Sequence, residues 1–312
     1  MIDAIPWDGQ KITKPGIYSD VPMEAYHSDL CDGPSISSSG LRLLDSRSPA
    51  HYWAQSYLNP DRKPEEQKDA FDFGRAAHTL LLGESDFRKR YAVRPDVWSD
   101  WRKDAAKAWR EGMREAGRTV LVPDDLVAIR GMAASLARDP SIKAGLLQGQ
   151  IERSIFWKDQ KTGVWLKCRP DVIPVSDGIA GDIKTTTDAS PDKIQRAVQS
   201  WGYDAQGALV GEAFRQVLGF EMTDFVLVWI EGGDPWAVNV SPVDPEWISY
   251  GARRNRRAID KFAKCIETGE WPAYPSEITT SMPDWLRKRV ETETKYGLLP
   301  ELDSSVYKEA AE

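Results

Sequence analysis

The amino-acid sequence predicts an α/β fold with one main domain, in which a helical N-terminal portion precedes a β-rich centre. Helical patterns dominate residues 35–148, whereas short apolar runs separated by turn residues occupy residues 151–185. A helix predicted over about 190–214 links these strands to two more, at about 223–231 and 235–240. Strands that precede and follow a crossover helix are typical of an α/β domain.

The N-terminal part is predicted to be irregular first and helical afterwards. Four prolines punctuate residues 1–34, so this segment is expected to lack regular elements. Serines in the stretch 35–39 provide N-cap residues for a first helix, in which Pro49 introduces a break. Helices are predicted over about 40–58, 65–82, 100–117 and 123–138.

The centre and the C-terminal part follow a β-α-β pattern. Strands are predicted at about 151–157 and 164–174, joined by the hairpin loop 158–163, and a third at about 179–185. A serine and a proline at the start of the long helix suit its cap and first turn. The last predicted helix of the domain covers about 244–268.

We expect a single domain over residues 35–275, without an internal repeat or a long linker. Its helical part covers about 35–148, and its sheet with the later helices covers about 150–275. The C-terminal segment 276–312 carries a surplus of acids from Glu291 onward and is predicted to be a loosely held tail.

Composition excludes several classes of protein. The chain has 312 residues, 41% hydrophobic and 29% charged, which is ordinary for a globular protein. No apolar run approaches the roughly 18 residues that span a membrane, and an intracellular protein is expected. Cys31, Cys168 and Cys265 are scattered and odd in number, which disfavours a disulfide framework or a four-cysteine metal site. The net charge of −7 disfavours indiscriminate coating of nucleic acid, although a local groove can still be basic.

Two acids and a lysine in the β-rich centre are the most informative residues. Asp171 and Asp182 stand in apolar runs separated by the turn-forming stretch 175–178, which predicts a β-hairpin with one acid on each strand. Lys184 follows Asp182 by two residues, so both side chains emerge on one face of the strand. Two carboxylates can bind one hard cation such as Mg²⁺, and a lysine beside them suits a phosphodiester.

The same residues belong to a longer ordered set of motifs. The set comprises Gly74-Arg75-Ala76-Ala77-His78, Pro170-Asp171, Asp182-Ile183-Lys184 and Tyr203-Asp204-Ala205-Gln206, preceded by Ser35 to Arg42 and Ser48 to Trp53. This set resembles the PD-(D/E)XK nuclease superfamily and, within it, the RecE-type (exonuclease VIII) C-terminal domain of phages and prophages. The resemblance covers roughly residues 15–275. It departs at Val210, where the family's glutamine motif ends in a tyrosine.

The resemblance implies a restriction-endonuclease-like core, that is, a mixed central sheet flanked by helices. It also implies a Mg²⁺- or Mn²⁺-dependent exonuclease that degrades one strand of linear duplex DNA from the 5′ end. The 3′ single-stranded tails would pass to a single-strand annealing protein of the RecT type, as in phage-linked recombination inside a bacterial cell. By analogy with related processive exonucleases, a homo-oligomeric ring around DNA is expected.

Carried onto this sequence, the resemblance implies roles for individual residues. His78, Asp171 and Asp182 would ligate the metal, together with the backbone carbonyl of Ile183. Lys184 would orient or help to deprotonate the attacking water. Two further residues of the glutamine motif are candidates: Gln206 would position water or the scissile phosphate, and Tyr203 is a possible accessory residue.

Other candidates rest on the residues alone, and each has a structural alternative. Glu152 could assist the metal or could be a surface acid. Ser37, Ser39 and Arg42 could hold a DNA phosphate at a helix start or could merely cap the helix. On the last predicted helix, basic residues form one stripe and could contact DNA or face solvent. This stripe contains Arg253, Arg256, Arg257, Lys261 and Lys264.

Two alternatives to an exonuclease stay open. The first is a nuclease-like fold that has lost catalysis and only binds DNA or a recombination partner, which Val210 and the acidic net charge would suit. The second is a metal-dependent endonuclease, which would cut covalently closed circular DNA.

Overall fold

The structure is a computed structural model that describes residues 3–63, 69–83, 87–175 and 178–300. The strands are β1 (Ile5–Pro6), β2 (Gly16–Ser19), β3 (Ser35–Ser37), β4 (Tyr91–Val93), β5 (Thr119–Leu121), β6 (Gly149–Ile151), β7 (Ser154–Lys158), β8 (Trp165–Cys168), β9 (Val172–Pro174), β10 (Ile179–Thr186), β11 (Asp224–Glu231) and β12 (Val238–Pro242). The helices are α1 (Met23–Tyr26), α2 (Ser38–Ser46), α3 (Pro49–Gln55), α4 (Asp69–Leu81), α5 (Phe87–Arg90), α6 (Asp104–Glu115), α7 (Pro123–Leu136), α8 (Pro140–Lys143), α9 (Pro191–Trp201), α10 (Tyr203–Ala213), α11 (Pro245–Thr268) and α12 (Asp284–Lys295). A π-helical turn, Phe214–Leu218, continues α10.

Five strands form a mixed sheet in the order β1-β2-β7-β8-β3. Strands β2, β7 and β8 are antiparallel neighbours, whereas β1 and β3 join the two edges in parallel. The turn between β7 and β8 is stabilised by Asp159, whose carboxylate accepts hydrogen bonds from the backbone N–H and the hydroxyl of Thr162. Here the predicted hairpin of the first two central strands is present.

A second sheet has the order β10-β11-β12 and carries the two motif residues of β10. Strands β10 and β11 are parallel, with Asp182 opposite Leu227, and β12 is antiparallel to β11. Such parallel pairing requires a crossover connection, which α9 and α10 provide. Two smaller sheets consist of the parallel pair β4-β5 and the antiparallel pair β6-β9.

Helices cover both faces of the β10-β11 pair. On one face, Ala180 and Leu227 belong to the main core, to which α2, α10 and α11 contribute. On the other face, Ile183 and Val228 pack in a second core with residues of α4 and α7. Because successive side chains of a strand alternate between faces, Asp182 lies on the same side of β10 as Ala180, towards the main core.

The N-terminal segment is more regular than its prolines predict. Strand β2 pairs with β7, and α1 begins directly after Pro22, which occupies the cap position that suits proline's extended backbone. Apolar residues of the segment, such as Val21 and Tyr26, form a third core with Phe156 of β7. Strands β1 and β2 and helix α1 therefore depart from the irregular segment expected over residues 1–34, because tertiary contacts with the five-stranded sheet order them.

The predicted hairpin that joins the two acids is also wrong. In the described residues β9 pairs with β6 and β10 pairs with β11, and Asp171 lies in a bend before β9. The proline at 170 has no N–H to give to a ladder, so the predicted strand 164–174 breaks there into β8 and β9. Of the predicted turn, Ser176 and Asp177 lie outside the described residues.

Two other predicted elements are each divided in two. The helix expected over 190–214 breaks at Gly202, whose φ of 68° is left-handed and separates α9 from α10. The strand expected over 151–157 is interrupted at Glu152, which also has a positive φ, of 46°.

A separate compact unit begins at Tyr274 and contains α12. Residues 301–312 of the predicted tail, like the predicted helix start near residue 65, lie outside the described residues. Among the helices of the described ranges, none combines the length and the apolar character that a membrane crossing requires.

Candidate active site

Strand β10 presents a buried acid and a lysine side by side. Asp182 is only 1% exposed, and its Oδ1 accepts a hydrogen bond of 2.7 Å from Nε2 of Gln206 on α10. The ammonium of Lys184 forms an ion pair with Oδ2 of Asp182 and lies 3.2 Å from Oε1 of Gln206. The structure thus brings the Asp-x-Lys motif of β10 and the glutamine of α10 together as one polar cluster.

The second acid joins this cluster through the backbone of β10. Oδ2 of Asp171 accepts a hydrogen bond of 2.6 Å from the N–H of Ile183, which links the bend before β9 to the centre of β10. Nδ1 of His78 on α4 lies 3.5 Å from the same oxygen. The three elements that carry the motifs therefore meet at Asp171, although they are far apart in the sequence.

The electrostatics of this cluster favour an added cation. Burial, and next the charge of Asp182, raise the pKa of Asp171 to about 7, despite the opposing influence of His78 and Lys184. Burial lowers the pKa of Lys184, but the charges of Asp182, Tyr203 and Asp171 more than offset this effect and leave the pKa raised. A carboxyl that resists ionisation beside a second acid indicates a site short of positive charge.

The glutamine reaches the acids because α10 packs unusually closely between β11 and α11. A Cβ at Gly207 would lie 2.5 Å from the ring of Phe225, and a Cβ at Gly251 would lie 2.2 Å from the carbonyl oxygen of Asp204. Arg254 of α11 then forms ion pairs with the buried carboxylates of Asp204 and Asp45. These contacts hold the first turns of α10 rigidly beside β10.

Tyr203 and Val210 occupy different environments on α10. The ammonium of Lys184 lies 4.5 Å from the ring centroid of Tyr203, which also packs edge-on against Trp229. Val210 is 1% exposed and belongs to the main core, where a tyrosine would overfill the space. The structure therefore places an aromatic ring against Lys184 through Tyr203, and Val210 points away into the core.

A cleft of about 250 Å³ opens beside Asp171 and Gln206. Its lining includes the predicted phosphate contacts Ser37, Ser39 and Arg42. Nη1 of Arg42 donates to the carbonyl of Trp201 at 2.7 Å, and burial lowers the pKa of this arginine. In the described structure Nε of Arg42 and the hydroxyl of Ser38 are shielded from water without a hydrogen-bond partner. The start of α2 thus places buried polar groups beside the cleft, in addition to Ser37, which caps the helix.

Glu152 lines the same cleft at the interruption between β6 and β7. Its backbone N–H donates to the carbonyl of Asp171 at 2.9 Å, so the two acidic residues are held together by the main chain. A positive φ at a non-glycine residue costs free energy and is often found at functional sites. The accessory role predicted for Glu152 stays a prediction, with this geometry in its support.

The basic stripe of α11 lies outside the lining of this cleft. Arg256 forms ion pairs with Asp159 and Asp260, and Arg257 forms one with Asp45. These two predicted DNA contacts are therefore engaged within the protein, whereas Arg253 is exposed. DNA binding by the stripe stays a prediction.

The donor set around Asp171 and Asp182 fits a hard divalent cation. In the described ranges no three His, Cys, Asp or Glu side chains converge as a complete ligand set. However, burial and the neighbouring charge of Asp182 raise the pKa of Asp171 to about 7, so an added cation would offset negative charge that the ion pair of Asp182 with Lys184 leaves in place. Carboxylate oxygens are the ligands that Mg²⁺ and Mn²⁺ prefer, and His78 lies next to them.

Apart from Ser38, which lies between the predicted Ser37 and Ser39, four residues of the cleft lining were not predicted from the sequence. They are Met23, Tyr26, His27 and Arg169. Arg169 immediately precedes Pro170-Asp171, and a charged residue next to this motif could have been recognised as a candidate site residue. The other three lie in the segment expected to be irregular, where no local signal points to a site.

Comparisons with known proteins agree on the fold. A family model described as "PDDEXK-like domain of unknown function (DUF3799)" matches residues 37–281. The solved structure of a "Putative exonuclease" from Eubacterium rectale is similar with a TM-score of 0.58 and 15% identity, over 94% of this chain and 99% of that one. The structure of SSO0001 is 15% identical over 62% of this chain and 87% of that one, with a TM-score of 0.27, too low to support an argument. No curated protein matches the chain.

These findings confirm two predictions made from the sequence. The family match confirms the resemblance to the PD-(D/E)XK superfamily, and the similar solved structure agrees with a mixed α/β core flanked by helices. At 15% identity the structural likeness bears on the fold alone.

Proposed function

The chain belongs to the PDDEXK-like domain family, and we propose that it is a divalent-metal-dependent exonuclease that hydrolyses linear duplex DNA. One observation carries this proposal: Asp171, Asp182, Lys184 and Gln206 form a single buried polar cluster at the edge of an open cleft. Buried charges of this kind are costly to maintain in a protein that only needs to be stable, and such costs are typical of functional sites.

In this proposal Asp171, Asp182, His78 and the carbonyl of Ile183 hold Mg²⁺ or Mn²⁺. The ion, when bound, lowers the pKa of a water molecule and offsets charge on the phosphate. The two carboxylates supply negative charge at a place shielded from solvent, where electrostatic attraction is strong. His78 borders Asp171 and so constrains the orientation of that carboxylate.

Lys184 and Gln206 act on the reacting groups. The Lys184 ammonium keeps its proton, because its pKa is raised, so it can donate a hydrogen bond to the attacking water or to a phosphate oxygen. Gln206 contacts both Asp182 and Lys184, so its amide positions the two charged groups relative to each other. Tyr203 packs over the ammonium and limits the directions in which it can move.

The DNA would enter along the cleft. Polar groups at the start of α2, including Ser37, Ser39 and Arg42, would contact a backbone phosphate, and the helix dipole would add to this attraction. We further propose that digestion proceeds from the 5′ end, that the 3′-tailed product passes to a single-strand annealing protein, and that subunits form a ring around DNA in the bacterial cytoplasm. These finer statements rest on the family resemblance.

The test is digestion of linear duplex DNA labelled at the 5′ or the 3′ end, with Mg²⁺, Mn²⁺ or EDTA. We expect metal-dependent loss of the 5′ label first and no loss with Lys184→Ala. Lys161→Ala is the matched control, because this lysine is exposed and forms only a surface ion pair with Asp260.

Three outcomes would contradict the proposal in different ways. Cleavage of covalently closed circular DNA would identify an endonuclease. DNA binding without cleavage in either metal would identify a binding module that has lost catalysis. Full activity of Lys184→Ala would show that the polar cluster is not the catalytic site.

A further inference from the structure

The N-terminal segment forms one wall of the catalytic cleft. Met23, Tyr26 and His27 belong to the cleft lining together with Asp171 and Gln206. Met23 is 46% exposed and His27 is exposed, whereas the ring of Tyr26 is buried. This wall precedes the range 37–281 that matches the family model.

Arg169 fastens this wall to the sheet that leads into the site. Its Nε donates to the hydroxyl of Ser154 at 2.9 Å, and its Nη2 donates to the carbonyl of Val21 at 2.7 Å. Nη1 lies 2.8 Å from the sulfur of Met23. Since Arg169 stands two residues before Asp171, the position of the wall is coupled directly to the backbone that carries the catalytic acid.

The ring of Tyr26 forms cation–π contacts with two side chains. The guanidinium of Arg169 lies 4.8 Å from the ring centroid, and the ammonium of Lys167 lies 5.2 Å from it. Cation–π contacts that are shielded from water are stronger than exposed ones. The ring also packs against Phe156 in the third core. The wall is therefore rigid at its base, while Met23 and His27 at its rim face the cleft.

The rim differs chemically from the rest of the cleft lining. The start of α2 offers hydroxyls and Arg42, and the floor carries the carboxylate of Asp171. Met23 and His27 instead offer exposed thioether and ring surface, although the sulfur of Met23 contacts Arg169 and the ring of His27 packs edge-on against Tyr26. Thioether and ring surfaces of this kind suit the face of an aromatic group. A nucleotide presents both kinds of partner, because its phosphate is anionic and its base is flat and apolar on its faces.

We infer that Met23 and His27 form a contact surface for the base of the nucleotide next to the scissile phosphate. This inference rests on the proposed function and adds a base-contacting surface to it. Contacts to the face of a base are tolerant of sequence, because every base has such a face. The wall would hold the terminal nucleotide in place without restricting which sequence the enzyme degrades.

The test combines removal of the wall with removal of the base. A labelled duplex with a normal or an abasic terminal nucleotide is titrated with wild type and with the double variant Met23→Ala/His27→Ala, using Ca²⁺ to prevent cleavage. Wild type should bind the abasic end about tenfold more weakly, since stacking on one base is worth about that factor. The double variant should bind the intact end about tenfold more weakly and should no longer distinguish the two ends.

Met282→Ala is the matched control, because Met282 is 45% exposed and lies outside the cleft lining. It should behave as wild type on both duplexes. A double variant that still discriminates against the abasic end would overturn the inference, as would a wild type that binds both ends equally. If wild type discriminates and the double variant does not, yet wild type never cleaves with Mg²⁺ or Mn²⁺, the inference about Met23 and His27 holds and the proposed catalysis fails.

A second variant tests the anchor. Arg169→Lys retains a charge but cannot donate in the forked pattern that joins Ser154 and Val21. As a positioning residue, Arg169 should affect base discrimination more than the overall fold. The variant should lose most of the discrimination while its far-UV spectrum is unchanged, and full discrimination by it would show that the wall needs no such anchor.

Discussion

Lys184 and Lys167 are both held largely out of water, one in each of the two larger sheets, but their pKa values shift in opposite directions. Lys184 lies beside Asp182, and its pKa is raised. Lys167 is 2% exposed, donates to the hydroxyl of Ser35 at 3.1 Å and contacts the rings of Tyr26 and Tyr57. Burial lowers the pKa of Lys167 to about 8.

The difference shows what makes a buried ammonium a candidate for chemistry. Both lysines lose solvation, but the carboxylates of Asp182 and Asp171 favour the charged form of Lys184. One of these acids, Asp171, also lines the cleft. Hydroxyl and ring contacts around Lys167 compensate less, so its charge is a cost to stability. We interpret Lys184 as catalytic and Lys167 as a support for the N-terminal wall through Tyr26.

The largest expected effect separates the two lysines by activity. Lys184→Ala should reduce cleavage of linear duplex DNA by at least about 10²- to 10³-fold, because one preorganised donor to a developing charge is worth that much. Lys167→Met should cleave within a few-fold of wild type. Initial rates at saturating Mg²⁺ measure both, and equal losses in the two variants would remove the distinction.

The second prediction tests the lowered pKa of Lys167 through the pH dependence of stability. Between about pH 8 and 10.5 the unfolded chain keeps a proton on Lys167 that the folded chain has lost, so stability from this group rises with pH in that window. Below pH 8 the buried charge on Lys167 lowers the free energy of unfolding by its full amount, up to roughly 3 kcal/mol. Lys167→Met should therefore be more stable than wild type at pH 7, and the advantage should shrink towards pH 10.

Urea unfolding of both proteins at several pH values measures this difference. Taking the difference cancels the ionisation of the buried tyrosines, which is common to both proteins. A gap between variant and wild type that is constant from pH 7 to pH 10 would show that Lys167 titrates as it does in water.

A smaller effect on stability is expected from substitution of Asp171, one of the acids near Lys184. The raised pKa of Asp171 means that its ionised form destabilises the folded state above about pH 7. Asp171→Asn keeps an oxygen to accept from Ile183 and should stabilise the metal-free protein at pH 8 by about 2 kcal/mol. Added Mg²⁺ should raise the melting temperature of wild type but not of Asp171→Asn, because only wild type binds the ion tightly. A destabilised variant would contradict the proposed charge imbalance.

The smallest effect is expected on DNA affinity, from solvent-exposed lysines of the basic stripe. Lys261 and Lys264 are exposed on the basic stripe of α11. If the stripe contacts duplex DNA, Lys261→Ala/Lys264→Ala should lower the slope of log affinity against log salt by about two, with little change in cleavage at saturating DNA. Lys288→Ala/Lys295→Ala, in the C-terminal unit, is the control pair. An unchanged slope would mean that the stripe is a solvated surface.

Local patterns predicted the parts of the site that are local in sequence. The spacing of two between Asp182 and Lys184 is enough to place both on one face of β10, whatever that strand pairs with. The hairpin of β7 and β8 was predicted correctly because Asp159 and Thr162 close its turn within a few residues.

Long-range packing overrode the other local expectations. The hairpin expected between Asp171 and Asp182 lost to the parallel pairing of β10 with β11, which buries both faces of β10. The long helix over 190–214 broke at Gly202, which turns α10 so that Gln206 reaches the acids.

The sequence by itself determined that this chain carries an acid, an acid-x-lysine and a glutamine motif in the order of a PD-(D/E)XK core, because those signals depend on residue type and short spacing. Only the tertiary structure decided that Asp171 meets β10 through the N–H of Ile183, and that Met23 and His27 line the cleft. These contacts join residues far apart in the chain. They depend on how closely whole elements pack, which no local pattern encodes.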